Sequence, residues 1–301
     1  MRILDAQAVA AATPWTALTE ALRRHLSDPI ASPPRSVVDP TGAGDALLLM
    51  PAWRQGGVMA VKLVTVYPRE SPALDGVVIA FDQATGKVRA VLDGMAITNR
   101  RTAAAAALAS SLLARRGARR LLVIGTGALA APLAEAHRAI TGVDQVAVWG
   151  RERARAQAVA ATLGGTVAED VAAAIADADI IVAATTATTP LIAADWVAPG
   201  THVGLVGAFT PAMAEAEPAL LARAALLYAD DRASVLAKGG EVFQAIRDGI
   251  IAEGALRGGL AELCADPPAR PDGAITVYKS VGFASLDLIA TELALGHASS
   301  A

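Results

Sequence analysis

The first residues with chemistry to offer form a glycine turn. Arg120-Leu-Leu-Val-Ile-Gly-Thr-Gly-Ala-Leu-Ala130 runs a short apolar segment into Gly125-x-Gly127-x-x-Ala130 and on into a helix-like stretch. The first glycine permits a tight strand-to-helix turn, the second lets backbone amides approach a pyrophosphate, and the small third residue packs the helix against its strand. The spacing predicts a dinucleotide site, with Gly125, Thr126, Gly127, Ala128 and Leu129 facing the diphosphate at a positive helix N-terminus. The next apolar run ends in Trp149-Gly150-Arg151-Glu152-Arg153-Ala154-Arg155. An NAD site usually places Asp or Glu at this strand tip for the ribose 2′-hydroxyl, and no acid stands there. Gly150 followed by Arg151, with Arg155 one helical turn on, suits a 2′-phosphate, because guanidinium forks bind phosphate oxygens bidentately and stay charged. NADPH is the expected cofactor, with NADH the weaker alternative, and Arg153 reads as surface charge.

Three cations lie upstream. In Gly57-Val-Met-Ala-Val-Lys62-Leu-Val-Thr-Val-Tyr67 a single lysine interrupts an apolar strand. It is either an edge or solvent-facing residue, or a partly desolvated ammonium that holds a carboxylate or transfers a proton. Arg35, in the rigid loop Ser32-Pro-Pro-Arg-Ser36, and Arg101, in Ile97-Thr-Asn-Arg-Arg-Thr102 at the start of a helix, are ordinary surface charges when taken singly. Together with Lys62 they make a candidate carboxylate-binding cluster.

Positioning these residues takes two kinds of sheet. Apolar β-type runs follow the glycine motif at Gln145–Trp149, Asp179–Ala183, His202–Val206 and Ala225–Tyr228, separated by alanine-rich helical stretches. Alternating strand and helix predicts an α/β fold with a doubly wound parallel sheet of the Rossmann type. Before it, Ala46–Met50, Val58–Tyr67, Val77–Asp82 and Val88–Asp93 read as short strands with turn chemistry between them. They predict a separate antiparallel layer, an α+β domain. Thr102–Arg116 reads as a connecting helix, Pro267–Gly273 as a loop, Ala274–Lys279 as a strand and Ser285–Leu295 as an amphipathic helix. The expected division is 1–117, completed by a returning C-terminal helix at 283–301, and 118–282.

Bulk composition narrows the function classes. A chain of 301 residues, 54% hydrophobic and 18% charged, can build two domains with substantial cores and is not a disordered segment. Net charge −3 with 4% aromatics gives no footprint for nucleic acid or an anionic membrane surface. Cys264 alone builds no disulfide framework, and His25, His137, His202 and His297 have no ligand spacing, so no metal is expected. Met1-Arg-Ile-Leu-Asp-Ala lacks a basic-then-apolar signal, and no uncharged run reaches the roughly 20 apolar residues that span a bilayer. The expectation is a soluble cytoplasmic protein.

Met50-Pro-Ala-Trp53, Val61-Lys62-Leu-Val, Asp93-Gly with Thr98-x-x-Arg101-Thr-Ala-Ala, Val123-Ile-Gly-Thr-Gly127, Trp149-Gly-Arg151 and Lys279-Ser-Val-Gly282 with Asp287 follow one another in collinear order over almost the whole chain. In these segments the sequence resembles the ornithine cyclodeaminase/mu-crystallin family. The resemblance implies a homodimer of two-domain subunits, with an N-terminal substrate and dimerisation domain and an NAD(P)-binding domain. It implies that Arg35, Lys62 and Arg101 bind the substrate carboxylate and polarise the reacting centre. It also implies that Thr185 and the run Ser280, Val281 and Gly282 line the cofactor. A glutamine usual after the glycine motif is replaced by Ala128-Leu129-Ala130, which leaves the phosphates to backbone amides.

The cyclodeaminases of that family carry an aspartate after the fourth nucleotide-domain strand, where this chain has Gly207-Ala-Phe209-Thr-Pro211. Phenylalanine takes no proton, so cyclodeamination is not expected, and Phe209 becomes a candidate apolar contact for a substrate ring. This segment and Lys279-Ser-Val-Gly282 resemble instead the Δ1-pyrroline-2-carboxylate reductases. The expected reaction is NADPH-dependent reduction of a cyclic imine 2-carboxylate, pyrroline or piperideine, to L-proline or L-pipecolate. Arg35 and Arg101 would orient the carboxylate, and Lys62 or an ordered water would deliver a proton. The rivals are cyclodeamination or alanine-dehydrogenase-like reductive amination and, in another class, a protein that holds NADPH and a small carboxylate without turnover.

Overall fold

The computed structural model describes residues 1–70 and 72–296, so the end of the helix expected at 283–301, with His297, lies outside the described residues. The chain forms two compact units, one of Met1–Arg101 with the chain from Phe283 onward and one of Thr102–Gly282. The first unit opens with β1 (Arg2–Leu4), α1 (Ala6–Ala12), α2 (Trp15–His25), β2 (Ile30–Ala31) and β3 (Ser36–Val38). β4 (Ala46–Arg54), β5 (Val58–Val66), β6 (Leu74–Asp82) and β7 (Val88–Asp93) follow. The sheet order is β1-β7-β6-β5-β4-β2, with β3 also paired to β4. It is not purely antiparallel as expected, because β1 joins β7 in parallel.

Side chains alternate across a strand, so neighbouring positions in register make rows on opposite faces. One row runs Leu4, Leu92, Val78, Lys62 and Met50, and every member is buried. The next row runs Ile3, Val91, Ile79, Val61 and Pro51, and here Ile3 is 76% exposed and the others are half-buried. The apolar residues on this outer face therefore lack a cover within the unit, while a lysine lies in the buried row.

α3 (Gly94–Leu113) begins in this unit. It starts at Gly94, not at Thr102, because the Asp93 carboxylate accepts the Ala96 N–H at 2.7 Å and satisfies a first-turn donor. Arg101 is consequently an interior residue of the helix, not its first.

The second unit continues with β8 (Arg120–Ile124), α4 (Ala130–Thr141), β9 (Gln145–Trp149), α5 (Arg153–Leu163), β10 (Thr166–Val167), α6 (Val171–Asp177), β11 (Ile180–Ala183) and β12 (His202–Leu205). α7 (Pro218–Arg223), β13 (Ala224–Ala229), α8 (Arg232–Lys238), α9 (Glu241–Arg247), α10 (Leu260–Ala265) and β14 (Ile275–Lys279) complete it. All its strands are parallel, in the order β10-β9-β8-β11-β12-β14-β13. β11, β12 and β14 are buried along their full length, the pattern of a parallel sheet covered on both faces. The fold is α/β and doubly wound, and the strand order reverses between β8 and β11. Ligands of such sheets bind beyond the carboxyl ends of the strands at that reversal.

α11 (Ala284–Ala294) belongs to the first unit and packs on α2, β4 and β5. It was expected to be amphipathic, yet every residue except Leu293 is buried. Its charges go inside because they are paired: Glu292 with Arg54, and Asp287 with Lys62 and Arg101.

Candidate active site

In the second unit the glycine turn is built for close approach. Gly125 has φ +123°, and a Cβ there would lie 2.6 Å from the Ala184 carbonyl oxygen, so no other residue serves. Its N–H donates to the Trp149 carbonyl at 2.9 Å, tying the turn to the end of β9. At Gly127 nothing lies within 4 Å of where a Cβ would be, which leaves the backbone open to a ligand. No side chain caps α4 at Leu129; the Ala130 N–H donates to the Gly127 carbonyl at 3.0 Å, and the positive end of the helix faces an anion.

The cleft at the ends of β8, β9 and β11 includes Gly125, Thr126, Gly127, Gly150, Arg151, Arg155 and Thr185 in its wall. These residues fit a dinucleotide, and they are seven of those named from sequence. Ala128, Leu129, Ser280, Val281 and Gly282 are not part of that wall. The buried Asp230 carboxylate takes the Ser280 hydroxyl at 2.8 Å and the Val281 and Gly282 amides at 3.0 and 2.6 Å. The other residues of the wall, Trp149 and Glu152 among them, were not anticipated.

Glu215 also went unnoticed in the sequence. Its fully buried carboxylate accepts the Thr185 N–H at 2.7 Å, the Thr185 hydroxyl at 3.0 Å, and the Gly207 and Ala208 amides at 2.7 and 3.1 Å. Gly207 is required there, since a Cβ would come within 2.0 Å of the Thr185 carbonyl oxygen. The segment that Phe209 seemed to leave without a carboxylate thus has one. Four donors fill a carboxylate's four acceptor sites, so Glu215 ties the ends of β11 and β12 and has no lone pair left for a substrate proton. Phe209 itself is half-buried and packs on the apolar core of the second unit.

In the first unit the buried row of the sheet delivers Lys62 to α11 and α3. Its Nζ lies 2.8 Å from Asp287 Oδ2 and 3.5 Å from Thr98 Oγ1. Arg101 donates through Nε to Asp287 Oδ1 at 3.0 Å, which leaves its two Nη groups without a hydrogen bond among the described residues. Lys62, Arg101 and Asp287 are each less than 10% exposed. Burial pulls the Lys62 ammonium from 10.5 down to about 8; Asp287 resists, while the Arg101 and Arg35 charges push the same way as burial. Burial raises the Asp287 carboxyl, but Lys62 and Arg101 outweigh it and hold the group below its ordinary value. Arg35, half-buried in the loop before β3, is close enough for its charge to act on Lys62. Two buried cations, Lys62 and Arg101, thus share the one carboxylate of Asp287, an imbalance that an incoming anion relieves.

Asp287 had a signal that could have exposed it. A lone aspartate in Ala284-Ser-Leu-Asp-Leu-Ile-Ala290 mirrors a lone lysine in an apolar strand, and two buried charges of opposite sign are most readily explained by each other. His137 and His202 are fully buried and held neutral, lowered by desolvation to about 4 and about 3. No group of three or more His, Cys, Asp or Glu side chains among the described residues is arranged to hold a metal. No helix among the described residues is long and apolar enough to cross a membrane.

The sequence profile of the ornithine cyclodeaminase/mu-crystallin family matches residues 6–300. A Delta(1)-pyrroline-2-carboxylate reductase of Paracoccus denitrificans is 38% identical over 290 residues, covering 91% of this chain and 90% of that protein. The structure of the Delta(1)-pyrroline-2-carboxylate reductase of Thermococcus litoralis, in complex with NADH and L-proline, superposes with a TM-score of 0.91 at 26% identity, over 99% of this chain and 97% of that one. An archaeal alanine dehydrogenase dimer with bound NAD gives a TM-score of 0.89 at 25% identity, over 99% and 96% of the two chains.

Proposed function

The chain belongs to the ornithine cyclodeaminase/mu-crystallin family, and we propose that it is an NAD(P)H-dependent reductase of cyclic imine 2-carboxylates. Δ1-Pyrroline-2-carboxylate would give L-proline, and the six-membered Δ1-piperideine-2-carboxylate would give L-pipecolate. The observation that carries this is the buried surplus of positive charge around Lys62, with an ammonium whose pKa is lowered to about 8.

When bound, the nicotinamide cofactor supplies the hydride that ends on the imine carbon. The Nη groups of Arg101, together with Arg35, orient the substrate carboxylate by charge-assisted hydrogen bonds. The Lys62 ammonium gives its proton to the ring nitrogen as the C=N bond becomes a C–N bond, and solvent restores that proton afterwards. Asp287 holds Lys62 and Arg101 in place and offsets part of their mutual repulsion. Gly125, Thr126, Gly127, Gly150, Arg151, Arg155 and Thr185 hold the cofactor, with NADPH favoured through the two arginines. Phe209, half-buried against the apolar core of the second unit, is the apolar contact offered to the ring.

The second copy of a homodimer covers the outer face of the first unit's sheet. Ile3 at one edge of that face is 76% exposed and Val38, in register with Leu47 at the other edge, is 48% exposed, with the half-buried apolar row between them, and exposed apolar surface of this kind marks an interface. The archaeal neighbour with the same fold is a dimer.

The test is cofactor oxidation with each imine, run beside ornithine and beside pyruvate with ammonium. Turnover on an imine without added ammonium, and no ammonia from ornithine, is the expected result. Oxidation seen only with pyruvate and ammonium would make the protein a reductive aminase. Cofactor binding with no turnover on any of these substrates would make it a binding protein.

A further inference from the structure

Three arginines follow the tip of β9, but they are not equally available. Glu152 stands in the same cleft wall as Arg151 and Arg155, and its Oε2 lies 2.9 Å from Arg155 Nε. Both partners are largely exposed, 64% and 69%. Arg153 is engaged elsewhere, with its Nε 2.9 Å from Glu169 Oε2 and outside the cleft wall. Arg151 makes no hydrogen bond or ion pair among the described residues. One arginine is therefore ready for a ligand, one is held by an acid, and the acid itself faces the cleft.

We propose that Glu152 sets the choice between NADH and NADPH, both by holding Arg155 and by placing its own negative charge beside the ribose 2′ position. The proposal rests on the dinucleotide reading of this cleft. A ribose with a free 2′-hydroxyl donates to a carboxylate at the end of the second strand, and Glu152 is an acid two residues beyond the glycine at that tip. A 2′-phosphate brings nearly two negative charges toward Glu152 and gains Arg155 only when the Glu152 pair opens. Exposed pairs of this kind are weak and open readily, so NADPH is admitted without being exclusive. The chain takes both cofactors, and Glu152 narrows the advantage that Arg151 and Arg155 give to NADPH.

The measurement is calorimetric binding of two fragments, 2′,5′-ADP and 5′-AMP, to the intact chain at low salt. It compares the parent with Glu152→Gln and Glu152→Ala. Because Glu152 is exposed and, among the described residues, its side chain pairs only with Arg155, either substitution leaves the fold intact. The expected result in both variants is tighter binding of 2′,5′-ADP, by about fivefold, and weaker binding of 5′-AMP, by about twofold, the scale of single exposed charge contacts. Raised salt should erase most of the gain for 2′,5′-ADP. A ratio of the two affinities that stays within about 1.5-fold of the parent in both variants, well below that scale, overturns the proposal and leaves the nucleotide site standing. Absence of binding by either fragment to the parent overturns both.

Discussion

The proton donated in the reaction gives the sharpest handle on the site. Burial and the neighbouring guanidinium charges bring Lys62 from 10.5 to about 8, which favours the neutral amine by roughly 3 kcal/mol. Such an amine is about nine-tenths protonated at pH 7 and about one-tenth protonated at pH 9, close to the optimum for a general acid near neutrality. The specificity constant for imine reduction should therefore fall about tenfold for each pH unit above 8, because it reports the free enzyme. Oxidation of L-proline with NADP+ should rise through the same pKa, since that direction needs the neutral amine as acceptor. Lys62→Met keeps the volume of the stem while removing charge and proton, so fold and cofactor affinity should stay close to those of the parent. Turnover should fall by about 10²-fold or more, the scale of acid–base assistance. The substrate nitrogen also titrates, and the variant separates the two groups: an inflection that survives in Lys62→Met belongs to the substrate. An inflection near pH 8 unchanged in the variant, or a specificity constant within about threefold of the parent, would refute the role given to Lys62.

Arg101→Lys should lower the specificity constant on the imine at least about tenfold with cofactor affinity unchanged, because an ammonium cannot reproduce a carboxylate fork; parity with the parent in steady-state kinetics would remove Arg101 from the substrate. Arg151→Ala should raise the Michaelis constant for NADPH by about tenfold or more and leave that for NADH alone, as loss of one charge-assisted phosphate contact requires. Val61→Asp, in the outer apolar row, should shift the protein to a folded monomer in sedimentation velocity, and a persistent dimer would place the interface elsewhere. Glu215→Gln replaces an acceptor with an amide donor against four buried donors and should cost about 1–3 kcal/mol, read as a melting temperature lower by about 5 °C in calorimetry.

The parallel sheet was legible because its signals are local. β8, β9, β11, β12 and β13 are continuous apolar runs punctuated by glycine and alanine-rich helices, and all lie within a residue of their expected bounds. The first unit was half legible. β4 to β7 were found as short runs between turns, though β4 was read only to Met50 and β6 only from Val77, while β1, β2 and β3 span two or three residues each, too few for a period to show. α3 was started too late because Asp93 was read as a strand residue, when its carboxylate also caps the helix. Of the site residues, those in the glycine turn declare themselves through backbone geometry that only glycine tolerates. Asp230, Glu215 and Glu152 act through partners far away in sequence or through exposure to a cleft, and neither leaves a pattern in one chain.

The case of β5 joins the two readings that alternation alone gets wrong. Met59, Val61 and Leu63 make an apolar row, Lys62 interrupts the opposite row, and period-two logic for an isolated sheet would turn the apolar row inward and the lysine to water. The structure does the reverse, burying Lys62 at 3% exposure and leaving Met59, Val61 and Leu63 half-exposed. Each inversion is costly alone: a buried ammonium needs a partner, and apolar surface in water favours association. Asp287 on α11 answers the first, and a second copy of the chain would answer the second. Departures from local consistency gather where function constrains a sequence. In this strand a single choice of register sets both, since the face that carries Lys62 inward to Asp287 is the one whose reverse is left apolar.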